Sequence, residues 1–138
     1  MKIIYAPGCF DLYHFGHLQI LKKAKELGDY LIVAVSSDKL MKEKGKDCII
    51  PFKERVAIIE ELKCVDRVVE ETKIFDIEQF MGLKADIFVI GSDWKNRTDV
   101  PRLNWLKEHN KIVFLPYTEG ISTTKIKEKI IQKYIINI

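Results

Sequence analysis

The sequence predicts an α/β protein: an open, doubly wound, parallel sheet of five strands in a single domain. Three observations carry that prediction. Apolar runs of strand length alternate with runs of helical spacing along the chain, the pattern of repeated βα units. The strand runs are continuously apolar, as in Tyr30-Leu31-Ile32-Val33-Ala34-Val35, so both faces of each strand are expected to be buried. Small and polar stretches follow four of these runs and fall beyond the carboxyl ends of the strands, where ligands bind in such sheets.

The elements follow in order. Lys2-Ile3-Ile4-Tyr5-Ala6 reads as a buried first strand. Leu18, Leu21, Ala24 and Leu27 mark a helix over about residues 17–27, with Gly28 as its stop. Residues 30–35 form the second strand, closed by Ser36-Ser37-Asp38. Residues 39–50 are polar and lysine-rich around Gly45 and read as one long loop; loops of that length are often functional. Pro51 suits the first turn of a second helix, about 52–62, with Val56, Ile59 and Leu62 inward. A short third strand covers 66–70 and a third helix about 76–82. The fourth strand, 86–90, leads into Gly91-Ser92-Asp93-Trp94. A helix over 101–109, a strand over 111–115 and a last helix from Ser122 or Thr123 to about Tyr134 complete the pattern. With right-handed crossovers this is a Rossmann-like sheet. One rim then gathers Gly8-Cys9, Ser36-Ser37-Asp38, Gly91-Ser92-Asp93 and Thr118-Glu119-Gly120.

Composition excludes several classes. A chain of 138 residues fits one domain of ordinary size. No apolar run approaches the length of a membrane span, and residues 1–10 lack a cleavable-signal pattern. Cys9, Cys48 and Cys64 are odd in number and lack paired spacing, which suits reduced thiols in a cytoplasm. The net charge of +3 is mild, and lysines are mixed with acids, as in Lys125, Lys127, Glu128 and Lys129. The dense basic face of a nucleic-acid binder is missing. Residues 130–138 are more apolar than one core-facing stripe requires, which marks a contact surface.

The chemistry concentrates at Gly8-Cys9-Phe10-Asp11-Leu12-Tyr13-His14-Phe15-Gly16-His17. The stretch lies at a strand-to-helix turn, where unpaired amides and a partial positive charge favour an anion. Two of the chain's three histidines, His14 and His17, stand there. Gly8 and Gly16 allow a ligand to approach the backbone. A spacing of three would also put two imidazoles on one metal, but no Cys, Asp or Glu cluster follows at ligand spacing. Gly45-Lys46 lacks the earlier glycine of a P-loop, because position 40 is Leu40. Ser122-Thr123-Thr124 reads as an N-cap at a helix start.

The pattern Gly-x-Phe-Asp-x-x-His-x-Gly-His, with Thr118-Glu119-Gly120-Ile121-Ser122-Thr123-Thr124-Lys125 near the other end, resembles the small cytidylyltransferases. These belong to a wider HxGH nucleotidyltransferase superfamily, and the likeness spans nearly the whole chain. It implies transfer of CMP from CTP to a phosphorylated polyol, glycerol 3-phosphate foremost, with release of pyrophosphate and a product for envelope or capsule polymers. It implies that His14, His17, Lys44 and Lys46 act on the phosphates. It assigns nucleotide binding to Gly8, Cys9, Phe10, Asp11, Gly16, Asp93, Thr118, Gly120, Ile121, Ser122 and Thr123, and acceptor binding to Asp38, Lys44, Arg55 and Lys63. Magnesium would travel with the triphosphate rather than on a protein site. The resemblance also implies a homodimer, and the length and lysines of residues 39–48 suggest a flap that orders over bound phosphates.

Three positions depart from the family pattern: Tyr117 and Lys63 stand where arginines are usual, and Ile74 where a tryptophan is frequent. These bear on the acceptor. Phosphoethanolamine or a sugar phosphate, ATP in place of CTP, and a nucleotide-binding module without turnover remain as alternatives; intact His14 and His17 argue against the last.

Overall fold

A computed structural model of the protein describes residues 1–136, with side chains through Ile135. Five strands form one sheet in the order β3-β2-β1-β4-β5, and every pairing is parallel. The strands are β1 (Ile3–Gly8), β2 (Tyr30–Ser36), β3 (Arg67–Glu71), β4 (Ile87–Gly91) and β5 (Ile112–Leu115). The helices are α1 (Phe15–Glu26), α2 (Asp38–Glu43), α3 (Phe52–Glu60), α4 (Ile77–Gly82), α5 (Pro101–Glu108) and α6 (Thr123–Ile131). A 3₁₀ turn, Ser92–Trp94, follows β4, and a π-helical stretch, Gln132–Ile136, follows α6. From β1 the chain winds outward to β2 and β3, then crosses to β4 and β5 on the other side. The order therefore reverses between β1 and β4, which is where a doubly wound sheet opens a crevice.

The continuous apolar runs have their expected cause. Leu31, Val33 and Val35 face one layer with Ile4, Leu21, Ala24 and Ile59. Their alternates Ile32 and Ala34 face the other with Tyr5, Phe75, Phe80, Phe88, Leu103 and Leu106. Each strand thus contributes to two cores, because successive side chains point to opposite faces.

One element differs from expectation. Residues 39–50 are not a single loop: α2 occupies their first half. Ser37 caps it, its Oγ accepting the Leu40 amide at 3.0 Å, and Leu40 and Met41 are buried. Two adjacent apolar residues among lysines show no helical period, so the sequence pattern hides a helix this short. The irregular segment shrinks to residues 44–51, with Gly45 at φ 75° as its second residue. α1 also starts earlier than expected, with His14 as its N-cap. α3 ends at Glu60, short of Leu62. In the apolar tail, Ile130, Ile131, Tyr134 and Ile135 are exposed; Asn137 and Ile138 lie outside the described residues.

Candidate active site

The carboxyl ends of β1, β2, β3 and β4 border a cleft of about 610 Å³, a size suited to a small-molecule substrate. Gly8, Cys9, Phe10, Asp11 and His17 form one wall; Ser36, Lys44, Lys46 and Glu71 form another; Asp93, Tyr117, Thr123 and Lys127 close the third.

The β1–α1 turn sets the first wall. It passes through two non-glycine residues in left-handed conformation, Phe10 (φ 57°) and Leu12 (φ 50°). Each such residue costs about 1–2 kcal/mol, so the surroundings must hold the turn in place. Asp11 does so. Its Oδ1 accepts the amides of Leu12 (3.1 Å) and Ile50 (2.9 Å), and its Oδ2 accepts the Ile49 amide (2.9 Å). The Asp11 carbonyl also accepts the Thr123 hydroxyl at 3.1 Å. One buried aspartate therefore fastens the turn to the segment before α3 and to the start of α6. Its contacts give Asp11 the role of orienting the loop.

His14 and His17 cap the helix reciprocally. The His17 amide donates to His14 Nδ1 at 3.4 Å, and the His14 amide donates to His17 Nδ1 at 3.2 Å. The rings stack with centroids 3.7 Å apart. A backbone N–H can donate only to an unprotonated ring nitrogen, so each neutral ring carries its proton on Nε2. Neither Nε2–H has an acceptor among the described residues. Burial, then the adjacent His14, push His17 down to about 4, against an opposing pull from Asp11. Burial likewise lowers His14. Both rings are therefore neutral at pH 7, with tautomers fixed and one donor each. Gly16 is required beside them: a Cβ there would lie 2.9 Å from His14 Cε1 and 3.5 Å from Ile121 Cγ2.

Ser122 takes the N-cap role of α6, its Oγ accepting the Lys125 amide at 3.1 Å. The first-turn amides of Thr123 and Thr124 have no intrahelical acceptor and form the second amide-rich edge of the cleft. Thr118, Gly120 and Ile121 belong to the turn that delivers this helix, with Gly120 at φ 80°.

Three expected acceptor residues, Asp38, Arg55 and Lys63, are not among those lining the cleft. The Arg55 side chain is buried, and its guanidinium donates to the carbonyls of Ile50 (2.9 Å), Cys9 (2.7 Å) and Ser36 (2.8 Å) and to Asp38 Oδ1 (2.8 Å). Arg55 is a girder beneath the cleft, with its donors turned to protein rather than to an acceptor phosphate. Asp38 is its counter-charge, held below the usual carboxylate range by the Phe52 amide and then by Arg55. Lys63 lies before β3, next to Asp66, whose amide donates to the Leu31 carbonyl near the start of β2. That is the amino end of the strands, opposite the cleft, so within one chain Lys63 does not reach the site.

The sequence pattern did not single out Glu71 or Cys48, which line the cleft, or the bond from the Tyr117 hydroxyl to Asp93 Oδ1 at 2.9 Å. An acid closing a rim strand was the available signal for Glu71; for Cys48 there was none.

Residues 5–129 match the cytidylyltransferase-like family. The chain belongs to that family. It is 42% identical over 131 residues to a glycerol-3-phosphate cytidylyltransferase of Bacillus subtilis, covering 94% of this chain and 98% of that one. It is 43% identical over 131 residues to the bifunctional protein HldE of Helicobacter pylori, of which it spans 28%. The crystal structure of a lipopolysaccharide core biosynthesis protein from Thermoplasma volcanium superposes with a TM-score of 0.70 at 30% identity, covering 88% of this chain and 99% of that one. In this cytidylyltransferase-like chain the cleft lies at the crevice between β1 and β4.

Proposed function

We propose that the protein transfers CMP from CTP to a phosphorylated polyol, glycerol 3-phosphate foremost, and releases pyrophosphate. The observation that carries this reading is the pair of neutral imidazoles at the α1 N-terminus, each with its tautomer fixed and an Nε2–H free. An oxygen of the acceptor phosphate attacks the α-phosphorus of CTP, and the bond to the pyrophosphate oxygen breaks. No covalent intermediate with the enzyme is needed. Negative charge grows on the non-bridging and leaving oxygens, and preoriented donors stabilise it without reorganising. His14, His17 and the first amides of α6 supply those donors. Lys44 and Lys46 neutralise the phosphates from the opposite wall.

Magnesium enters as part of the CTP complex. Among the described residues no group of three or more His, Cys, Asp and Glu is arranged to hold a metal, and Asp11 already accepts three amides. Phosphate oxygens and water suit the ion without protein ligands. No helix among the described residues is long and apolar enough to cross a membrane. We place the enzyme in the cytoplasm on its reduced-thiol composition, and as a homodimer on the exposed apolar strip at Ile130, Ile131, Tyr134 and Ile135. A monomeric mass by light scattering at micromolar protein would reject the dimer.

The test of the reaction is a matrix of CTP, ATP, GTP and UTP against glycerol 3-phosphate, phosphoethanolamine and a sugar phosphate, with pyrophosphate release as the readout. Turnover is expected with CTP and glycerol 3-phosphate. Release only with another nucleotide or acceptor would reject the assigned substrates, and release with none would reject the enzyme reading.

A further inference from the structure

Glu71 is a buried acid that the reaction above does not use. It closes β3 at the cleft, level with Ser36 in the register of the sheet. It is only 4% exposed, yet it lines the cleft. Its Oε1 accepts the Ser36 hydroxyl at 2.6 Å. Its Oε2 has no partner among the described residues. That oxygen is not sealed off, because the sole sealed and unpaired side-chain oxygen or nitrogen among the described residues is Tyr13 Oη. Burial is the main influence on this carboxyl and raises its pKa, with Ser36 and Lys44 opposing. In the free protein that oxygen is open to water in the cleft, and a donor arriving with a ligand takes the water's place.

We propose that Glu71, oriented by Ser36, reads the hydroxyl end of the acceptor: a hydroxyl of the polyol phosphate donates to Glu71 Oε2. The inference rests on the functional reading above and adds the residue that selects a polyol. An acceptor of this class has an anionic end and a donor end. Lys44 and Lys46 offer cations for the phosphate. A carboxylate repels phosphate and accepts from O–H, so Glu71 fixes which way the acceptor enters. Ile74 and Phe75 line the cleft in the same stretch and give its carbon chain an apolar wall.

The test compares glycerol 3-phosphate with propyl phosphate, which keeps the phosphate and lacks both hydroxyls. In the wild-type enzyme kcat/KM should favour glycerol 3-phosphate. Glu71→Gln should shrink that preference roughly 10- to 100-fold, the worth of one charge-assisted hydrogen bond, and leave the KM for CTP unchanged. A purely structural Glu71 would lower both acceptors equally, and that result overturns the inference. If Glu71→Gln does not fold, Glu71→Asp withdraws the carboxylate by one methylene and should shrink the preference in the same sense; full preference there also overturns it. Should the wild type turn over no polyol phosphate at all, the functional reading falls and takes this inference with it.

A different observation carries a second inference. Cys9 Sγ and Cys48 Sγ lie 3.2 Å apart, joining the β1–α1 turn to the segment before α3. Both residues line the cleft. A shift of about 1 Å would bring the sulfurs to bonding distance. Arg55 Nη1 stands 3.9 Å from Cys9 Sγ, a cation beside the thiolate that would form. The geometry points to a reversible disulfide that locks the lysine segment and stops turnover, with a small-molecule disulfide as oxidant. The Cys9 thiolate attacks one sulfur of that disulfide and releases one small thiolate. Cys48 loses its proton to solvent, attacks the Cys9 sulfur and expels the second. Two protein thiols are oxidised as one small disulfide is reduced to two thiols.

With oxidised glutathione, titratable thiols should fall from three to one, the intact mass should drop by about two hydrogens and activity should be lost. Dithiothreitol should restore all three readouts. Cys48→Ser should form no internal bond, and Cys64→Ser should respond as the wild type does. A stable adduct without the internal bond, or a Cys9–Cys48 bond that leaves turnover intact, would overturn the switch.

Discussion

The Tyr117 hydroxyl donates to Asp93 Oδ1 at 2.9 Å, and the tyrosine reaches that position only because Gly91 beneath it has no Cβ. Both residues line the cleft, so the departure from the family's arginine falls inside the site. Burial, followed by Asp93, raises the phenol, which stays neutral and a donor. Tyr117→Phe removes that donor and frees the carboxylate. The KM for CTP should rise by about 2- to 10-fold, one neutral hydrogen bond's worth, with the KM for the acceptor unchanged. Steady-state kinetics with each substrate varied decides it; a shift in the acceptor KM alone would place the pair on the other substrate. An arginine at 117 would meet Asp93 before any phosphate, so Tyr117→Arg should not simply restore the family's contact.

His14 caps α1, and the proposed reaction also uses its Nε2–H as a donor, two duties that substitution can separate. Asparagine is a good N-cap and lacks the ring, so His14→Asn should keep the fold and lose the donor. Its kcat should fall about 10²- to 10³-fold at saturating CTP, as expected for one preorganised donor. His14→Ala should lose activity similarly and also about 0.5–2 kcal/mol of stability from the missing cap. Near-normal turnover in both variants, measured by pyrophosphate release, would remove His14 from the reaction.

The depressed pKa of His17 fixes a sign. Its folded value of about 4 lies below the unfolded value of about 6.5, so the unfolded chain takes the proton first as pH falls. The associated stability is fully present above pH ~6.5 and is lost progressively down to pH ~4. Melting temperatures of the wild type should therefore drop through this window more than those of His17→Asn. Bound CTP should reduce the drop, because an adjacent anion favours the imidazolium. Parallel curves for the two proteins would show that His17 is not buried as its neutral form.

Much of the fold was legible because both faces of every strand read as apolar. Ile32 and Val33 belong to different cores, and their adjacency in the chain is what reports two buried layers. α2 was not legible, since Leu40 and Met41 make one contact patch without a period. At the site, spacing located the histidines but not their reciprocal caps. It gave no direction for Arg55 either: a basic residue one helical turn inside α3 serves the cleft or the protein beneath it equally well in sequence. Glu71 fell just past the expected end of its strand, a one-residue shift that concealed a cleft residue.

The remaining irregular segment has defined ends. α2 stops at Glu43, and Asp11 grips the amides of Ile49 and Ile50. Between them Lys44 and Lys46 are exposed at the cleft. Brief trypsin treatment should cut the free enzyme after these lysines, and CTP with acceptor should slow the cut. Equal rates with and without substrates, followed by mass spectrometry, would show that residues 44–48 do not close over the phosphates.

Arg55 separates two accounts of one residue by experiment. If it serves the acceptor phosphate, its replacement should raise the acceptor KM and leave the melting temperature alone. The structure gives the opposite expectation. Its guanidinium spans Cys9 and Ser36 at the ends of β1 and β2, Ile50 before α3, and Asp38 at the start of α2. Lysine keeps the charge but loses the planar fork and cannot satisfy acceptors lying in several directions. Arg55→Lys should leave buried carbonyls unpaired and destabilise the fold by about 2–4 kcal/mol. For a chain of this size that is a fall of roughly 6–16 °C in Tm. Turnover should drop only as far as the β1–α1 turn loosens, with the KM values for CTP and acceptor rising together. A variant that melts like the wild type but has lost acceptor affinity would return Arg55 to the substrate.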